Sequence, residues 1–268
     1  PSLTRVGGYV SLHENTYYST GARLELDGLR HVGSYLRVYN NDRLMAMNLS
    51  SLSDVADYCE CALVLSWFAR RSHGGARLPL AWSSPTAGRV EENDRLTKFE
   101  MRVLTSIGSY LEVEDNTALR TLDVRELESV GSYIRLDDND ALVDINFTRL
   151  ETVGSSVEVS SLNALTELHF NSLATVGSSL QINYNYAMTV LTIDSLVSVG
   201  SSFYFYANTV LERLSADSLE TVGSAFSVRS NYALTEIAVN ELTSIGDYID
   251  VSSNSQLSVA QFYGLEST

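Results

Sequence analysis

Apolar residues recur along this chain in a fixed cadence. Counted from an opening Val or Ile, they fall at positions 1, 5, 7, 13, 16, 18 and 21, with polar residues between. The clearest copy runs from Ile107 to Leu127, IGSYLEVEDNTALRTLDVREL, and it restarts 23 residues on at Val130, then at Val153, Val176, Val199, Val222 and Ile245. A constant period of this size marks stacked, nearly identical structural units. The two-residue spacings at 5/7 and 16/18 are strand spacings, since alternate side chains share a face. No 3.6-residue periodicity competes with them. The pattern predicts an all-β parallel β-solenoid, each coil carrying two short strands and lying ~4.8 Å from the next. One coil cannot bury its own apolar positions, so stability has to come from its neighbours.

Earlier copies open at Val6, Val32 and Val55, making ten repeats of about 23 residues and, if all stack, a rod of roughly 50 Å. The first copy carries three extra residues near Tyr17 to Thr20, taken as a longer turn. Position 2 is Gly in nine of the ten, Ala56 being the exception, which points to a turn with positive φ or to close approach of adjacent backbones. Position 10 is Asn in nine of the ten: Asn15, Asn41, Asn93, Asn116, Asn139, Asn185, Asn208, Asn231 and Asn254. An inward Asn can donate to and accept from the bend, and identical amides can stack as a ladder. The sixth copy has Leu162 there and Asn163 one place late, so a local irregularity is expected at that coil.

The third copy is interrupted. Val55 and Ile107 are 52 residues apart, which is 23 plus 29, and residues 59–88 read as an out-of-register insert within a single solenoid spanning 1–268. The insert holds both Cys, both Trp and two of the three Pro residues. Two origins stay open: a functional loop on a rigid scaffold, or translated intron sequence, because excising 29 codons restores the period.

Composition narrows the partners. A net charge of −15 argues against nucleic acid, which needs clustered Lys and Arg. No apolar run reaches the ~18 residues of a membrane span. The first residue is Pro1, the chain stops near the start of a further repeat, and neither end shows a polar cap. These features lead us to expect a fragment of a longer chain. Outside the insert there are no thiols, in keeping with secretion.

The run V-G-S-Y-L-x-V-x-x-N-x-x-L-x-x-L, seen at 32–47 and 107–122, resembles leucine-rich repeats of the receptor L-domain variety. Such coils are found in insulin- and EGF-receptor ectodomains and in fungal GPI-anchored cell-wall organisation proteins. The resemblance covers the chain apart from the insert and implies a right-handed parallel β-solenoid. The cysteine-bonded ends of receptor L domains have no counterpart here, so it points toward a cell-wall or adhesion protein.

Outward positions 6 and 8 of the first strand vary on this constant frame, as a recognition surface would. Tyr184, Tyr186, Tyr204 and Tyr206 are expected to cluster on adjacent coils, with Asn183 and Gln181 as hydrogen-bonding neighbours. Exposed aromatic faces bind sugars and protein partners; the competing explanation is the β propensity of Tyr. An acidic set, Glu91, Glu112, Glu114, Asp115, Asp137, Asp138 and Glu158 around Arg135, reads first as a solvated charged face, with a Ca²⁺ site the lesser alternative. His13, His31, His73 and His169 are scattered, and no catalytic, metal-binding or cofactor set is assigned. The sequons at Asn48 and Asn146 both fall at position 17, outward on the second strand, and are glycosylation candidates. The expectation is a non-enzymatic, extracellular domain for protein or glycan recognition or adhesion at a cell surface or cell wall. The alternatives are a carbohydrate-active β-helix enzyme, using Glu114, Asp137 and Arg135, or a structural wall spacer.

Overall fold

A computed structural model describes residues 3–13, 22–25, 29–32, 36–39, 44–48, 54–55, 59–61, 76–77, 88–91, 98–100 and 105–265. From 105 to 265 the chain is a parallel β-solenoid of about seven coils of 23 residues, with no helix among the described residues. Within this stretch the strands pair in register across the repeat, as in Leu111↔Ile134 and Leu180↔Phe203, while Ala22–Glu25 and Leu44–Asn48 nearer the start pair with a shift between Ala22 and Arg23. The period alone therefore sets the fold, because identical positions stack directly over one another.

Each coil contributes three strands where the spacing predicted two. Positions 5 to 8 form the long sheet, from Val10–His13 through Leu111–Glu114 to Ile249–Ser252, eleven strands among the described residues. Positions 15 to 17 form shorter sheets, such as Thr121–Asp123 on Asp144–Asn146. The third strand, at positions 23 and 1, is only two residues long and builds a seven-stranded sheet from Ser106–Ile107 to Ser244–Ile245. A two-residue strand has one inward side chain and leaves no alternation to read.

The apolar positions face inward as their spacing requires. Leu111, Val113, Leu119, Leu122, Val124 and Leu127 are all fully buried, and the same six positions are buried in the coils opening at Val130, Val153, Val199 and Val222. In the coil from Val176 Leu191 is only partly buried, and in the last coil Ile249 is 43% exposed. Phenylalanines stack between coils at Phe147–Phe170 and Phe203–Phe226, with ring centroids 5.3 and 5.0 Å apart. Columns of equivalent apolar positions thus run along the core, with residue type varying from coil to coil.

The glycines at position 2 serve close approach. A Cβ built on Gly131, Gly154, Gly177, Gly200, Gly223 or Gly246 would lie 2.0–2.2 Å from the preceding glycine's carbonyl oxygen, well inside contact distance. Positive φ falls instead at position 9, on Asp115, Asp138, Ser161, Tyr184, Ala207, Ser230 and Ser253. These non-glycine residues turn the chain out of the long sheet at a cost of roughly 1–2 kcal/mol each.

The next residue, the position 10 asparagine, secures that turn. Asn208 Oδ1 accepts both the backbone N–H and the Nδ2 of Asn185 at 3.2 Å, and Asn208 Nδ2 donates to the Ile182 carbonyl at 2.8 Å. The same bonds link Asn116 to Asn139 and Asn231 to Asn254. At the sixth repeat, buried Leu162 replaces the amide, and Asn163 points outward to Asp140 at 2.6 Å. Leu162 offers no oxygen to Asn139, so the ladder splits into two runs. The irregularity is local: Ile134–Asp137 pairs with Val157–Ser160 over three residues, one fewer than between neighbouring coils.

The ends of the extra segment lie on successive rungs of the long sheet. Cys59–Cys61 pairs with Leu36, Arg37 and Val38 on one side, and Cys59 and Glu60 pair with Gly88 and Arg89 on the other. Ala76 and Arg77 pair with Phe99 and Glu100. The rest of the insert, the ladder candidates Asn15, Asn41 and Asn93, and the side chains of Asn48, Cys59 and Cys61 lie outside the described residues.

Candidate recognition surface

The outward face of the long sheet varies in composition from coil to coil on the constant frame of the repeat. Tyr204 and Tyr206 stand on it at positions 6 and 8, two residues apart on one strand and so on the same side. Their ring centroids are 5.6 Å apart with a 35° tilt. The strand pairs Gln181 with Tyr204 and Asn183 with Tyr206 on one flank, and Ser227 with Tyr204 and Arg229 with Tyr206 on the other.

Ser227 shows how the tyrosines lie. It occupies an outward position, flanked by the inward Phe226 and Val228, yet it is fully buried. Tyr206 donates its hydroxyl to Ser227 Oγ at 3.1 Å, so the ring leans down the face and covers its neighbour. Tyr248, 44% exposed, comes close enough to Tyr204 and Tyr206 across the intervening coil to interact with them electrostatically. Partial desolvation first, then the charges of Tyr204 and Tyr206, raise the Tyr248 phenol above its ordinary value. Arg229 sits over the Tyr206 ring at 6.0 Å and is ion-paired with Asp250. A cation over a tyrosine face is favourable by about 0.5–1 kcal/mol at an exposed site. The result is a self-supported aromatic cluster of Tyr204, Tyr206 and Tyr248, with one guanidinium and one carboxylate at its edge.

The other expected residues are placed differently. Tyr184 and Tyr186, 48% and 49% exposed, form an edge-to-face pair at 6.5 Å. They occupy positions 9 and 11, on the turn that leaves the sheet, beside the Tyr204–Tyr206 pair but off its face. Gln181 is half-buried on the sheet. Asn183 is 7% exposed, and its Oδ1 accepts the Tyr206 backbone N–H at 3.1 Å. It thus braces the strand that presents the tyrosines. Tyr248, Arg229 and Asp250 were not singled out from the sequence as part of the cluster. Reading position 4 down successive coils would have exposed Tyr248.

The acidic set is an ion-pair network. Arg135 lies 2.8 Å from Glu114, 3.2 Å from Asp137 and 3.5 Å from Glu158. Arg89 bridges Glu91 at 2.7 Å and Glu112 at 3.0 Å. Ser160 donates to Asp137 at 2.6 Å. Burial raises the Glu114 carboxyl above its ordinary range, Arg135 opposes this, and Glu112 adds to it. Among the described residues no group of three or more His, Cys, Asp or Glu side chains is arranged to hold a metal ion. No helix there is long and apolar enough to cross a membrane.

On the second strand, Asn146 is half-exposed. Its Oδ1 accepts from the Thr148 backbone N–H at 3.2 Å and from the Thr148 hydroxyl. The sequon is therefore folded into a tight local turn. No protein-family model, no curated protein and no solved structure matches this chain.

Proposed function

We propose that this chain is a non-enzymatic, extracellular recognition domain that uses the outward face of its long sheet to bind a glycan or protein ligand at a cell surface or in a cell wall. The observation that carries this is the tyrosine cluster built over buried Ser227. A surface aromatic kept only for β propensity needs no partner. Here three tyrosines, a bracing asparagine and an arginine converge on one part of the face, Tyr204 and Tyr206 half-buried and Tyr248 exposed. Flat, pre-ordered rings with hydroxyls at their rims fit a sugar face or a protein hot spot, because ordering costs little on binding.

The leucine-rich-repeat resemblance suggests in addition a right-handed coil and ten repeats in all. Asn146 and Asn48 would carry glycans on the second strand, leaving the first-strand face free. Supporting this is the Asn146–Thr148 turn, which holds the acceptor amide at the surface.

The test is a glycan-array and surface-protein binding screen of the wild type against the double variant Tyr204→Ala plus Tyr206→Ala. Loss of every binding signal in the double variant, with an unchanged far-UV spectrum, supports the site. Retained binding would remove the patch from consideration. Turnover of a polysaccharide by the wild type, lost on Asp137→Asn, would overturn the non-enzymatic reading.

A further inference from the structure

A second tyrosine pair lies on the same face. Tyr110 and Tyr133 stack at 5.0 Å with an 8° interplanar angle, and Tyr133 donates its hydroxyl to Glu112 at 2.8 Å. Both sit at position 4, beside the long-sheet strand. Down successive coils that position reads Tyr110, Tyr133, Ser156, Ser179, Ser202, Ala225, Tyr248, so it is bulky at both ends and small between. Five coil steps separate Tyr133 from Tyr248, about 24 Å at the usual strand spacing. Of the four intervening coils, the two next to Tyr133 add Glu158 and Gln181 at position 6 and Ser160 and Asn183 at position 8, and the two next to Tyr248 carry Tyr204, Tyr206, Ser227 and Arg229. Glu158, Gln181, Ser160 and Asn183 are polar, half-buried or buried side chains. The face is thus a low strip of hydroxyls, amides and one carboxylate between two aromatic stations, running along the solenoid axis.

A ligand that touches both stations has to be long, extended and parallel to the axis. The coil spacing is close to the rise of one sugar in an extended β-linked chain, so successive sugars meet successive rungs. Charge selects further. Positions 6 and 8 from Arg89 to Ser252 carry six carboxylates (Glu91, Glu112, Glu114, Asp137, Glu158 and Asp250) against three guanidiniums (Arg89, Arg135 and Arg229). All three guanidiniums are already paired with carboxylates. Such a face repels uronates and sulfated sugars.

Resting on the recognition role proposed above, we infer that the ligand is a linear, uncharged, β-linked polysaccharide laid along the solenoid axis, in contact with Tyr204, Tyr206 and Tyr248 at one end and, at the other, with the outward ring edges of Tyr110 and Tyr133, whose faces are turned to each other. Between them the half-buried Ser156, Ser179 and Gln181 supply hydrogen bonds to its hydroxyls.

Calorimetric titration with β-1,4-linked glucose and N-acetylglucosamine oligomers, from dimer to octamer, tests this directly. Affinity is expected to rise by about tenfold or more once the oligomer spans both stations, then to level off. Tyr133→Ala is expected to remove that gain, so that octamer affinity falls to near that of the dimer, and Tyr133→Phe, which keeps the ring, to retain it. A thermal melt of each variant checks folding. Binding of short oligomers with no length dependence, or a gain that survives Tyr133→Ala in a folded protein, overturns the two-station inference but leaves the tyrosine cluster as a glycan site. Equal binding of oligogalacturonate overturns the charge selection. Absence of any oligosaccharide binding, with capture of a basic peptide instead, overturns the glycan reading itself.

Discussion

The asparagine ladder makes a quantitative demand on stability. In Asn208→Ala, the Asn185 backbone N–H loses its acceptor at 3.2 Å and the Ile182 carbonyl loses its side-chain donor at 2.8 Å. Asn185 Nδ2 keeps its bond to the Val159 carbonyl at 3.1 Å, and the Asn208 backbone N–H keeps its bond to Asn231 at 2.9 Å. The Ile182 carbonyl keeps its ladder bond to the neighbouring strand, so one backbone group, the Asn185 N–H, is stranded in a core where Asn208 is 0% exposed. At about 1–3 kcal/mol for an unsatisfied buried group, the loss is about 1–3 kcal/mol, with the cavity pushing it upward. The control is Asn163→Ala, whose amide lies outside and reaches only Asp140; its effect is expected within about 0.5 kcal/mol. Urea unfolding followed by far-UV circular dichroism measures both. Hydrogen exchange at Asn185 reports the local event, because the orphaned N–H should open first. A loss below about 1 kcal/mol, or Asn185 protection equal to wild type, would refute the idea that the ladder holds the bend.

Three further outcomes follow from the same geometry. Gly177→Ala places a Cβ 2.2 Å from the Gly154 oxygen, a backbone atom that cannot swing away, whereas Gly7 has nothing within 4 Å of the equivalent point. The first should destabilise by about 3 kcal/mol or more and the second hardly at all, as read by paired thermal melts. Ser230→Gly relieves a φ of 58° and should raise stability by up to about 1 kcal/mol, net of glycine's entropy in the unfolded chain; a lower denaturation midpoint would contradict this. Burial holds the Glu114 carboxyl above its ordinary range in the folded protein. Its favourable contribution is therefore full below the unfolded value and is lost as pH rises through the folded one. Glu114→Gln should stabilise the protein relative to wild type at neutral pH, with the advantage shrinking as the pH falls through the raised folded-state value and gone below the ordinary carboxylate range, as read by urea midpoints across that window.

The core was legible because stacking in register turns every inward position into a column. A Leu at position 13 meets the same position above and below, so selection for burial is repeated coil after coil. The third strand was not legible, since Ser129–Val130 and its copies are two residues long and lack alternation. Glycine left two physical reasons open, positive φ and close approach. The structure separates them: the carbonyl contact falls at Gly177 and its equivalents, and the positive φ at residues such as Tyr184 and Ser230. Position 9 carries Asp, Ser, Tyr and Ala, residue types too mixed to announce a left-handed turn. What they share is the asparagine that follows, and Ser161 adopts the same turn without one, because Leu162 N–H still reaches Asn185 Oδ1 at 3.1 Å.

The surface obeys a different logic, and that is why its reading from sequence was partial. Alternation correctly put Tyr204 and Tyr206 on one outward face, because a single strand decides it. It could not bring in Tyr248, which lies 44 residues later and reaches Tyr204 across an intervening coil. Nor could it tell that Asn183, polar and outward by count, is tied to the Tyr206 backbone. In a solenoid, neighbours in space are a whole period apart in sequence, so a site must be read down columns rather than along the chain. Position 4 shows the difference. Along the chain it is a nondescript Ser or Tyr after a glycine turn, and down the stack it is two aromatic stations with a polar floor between them.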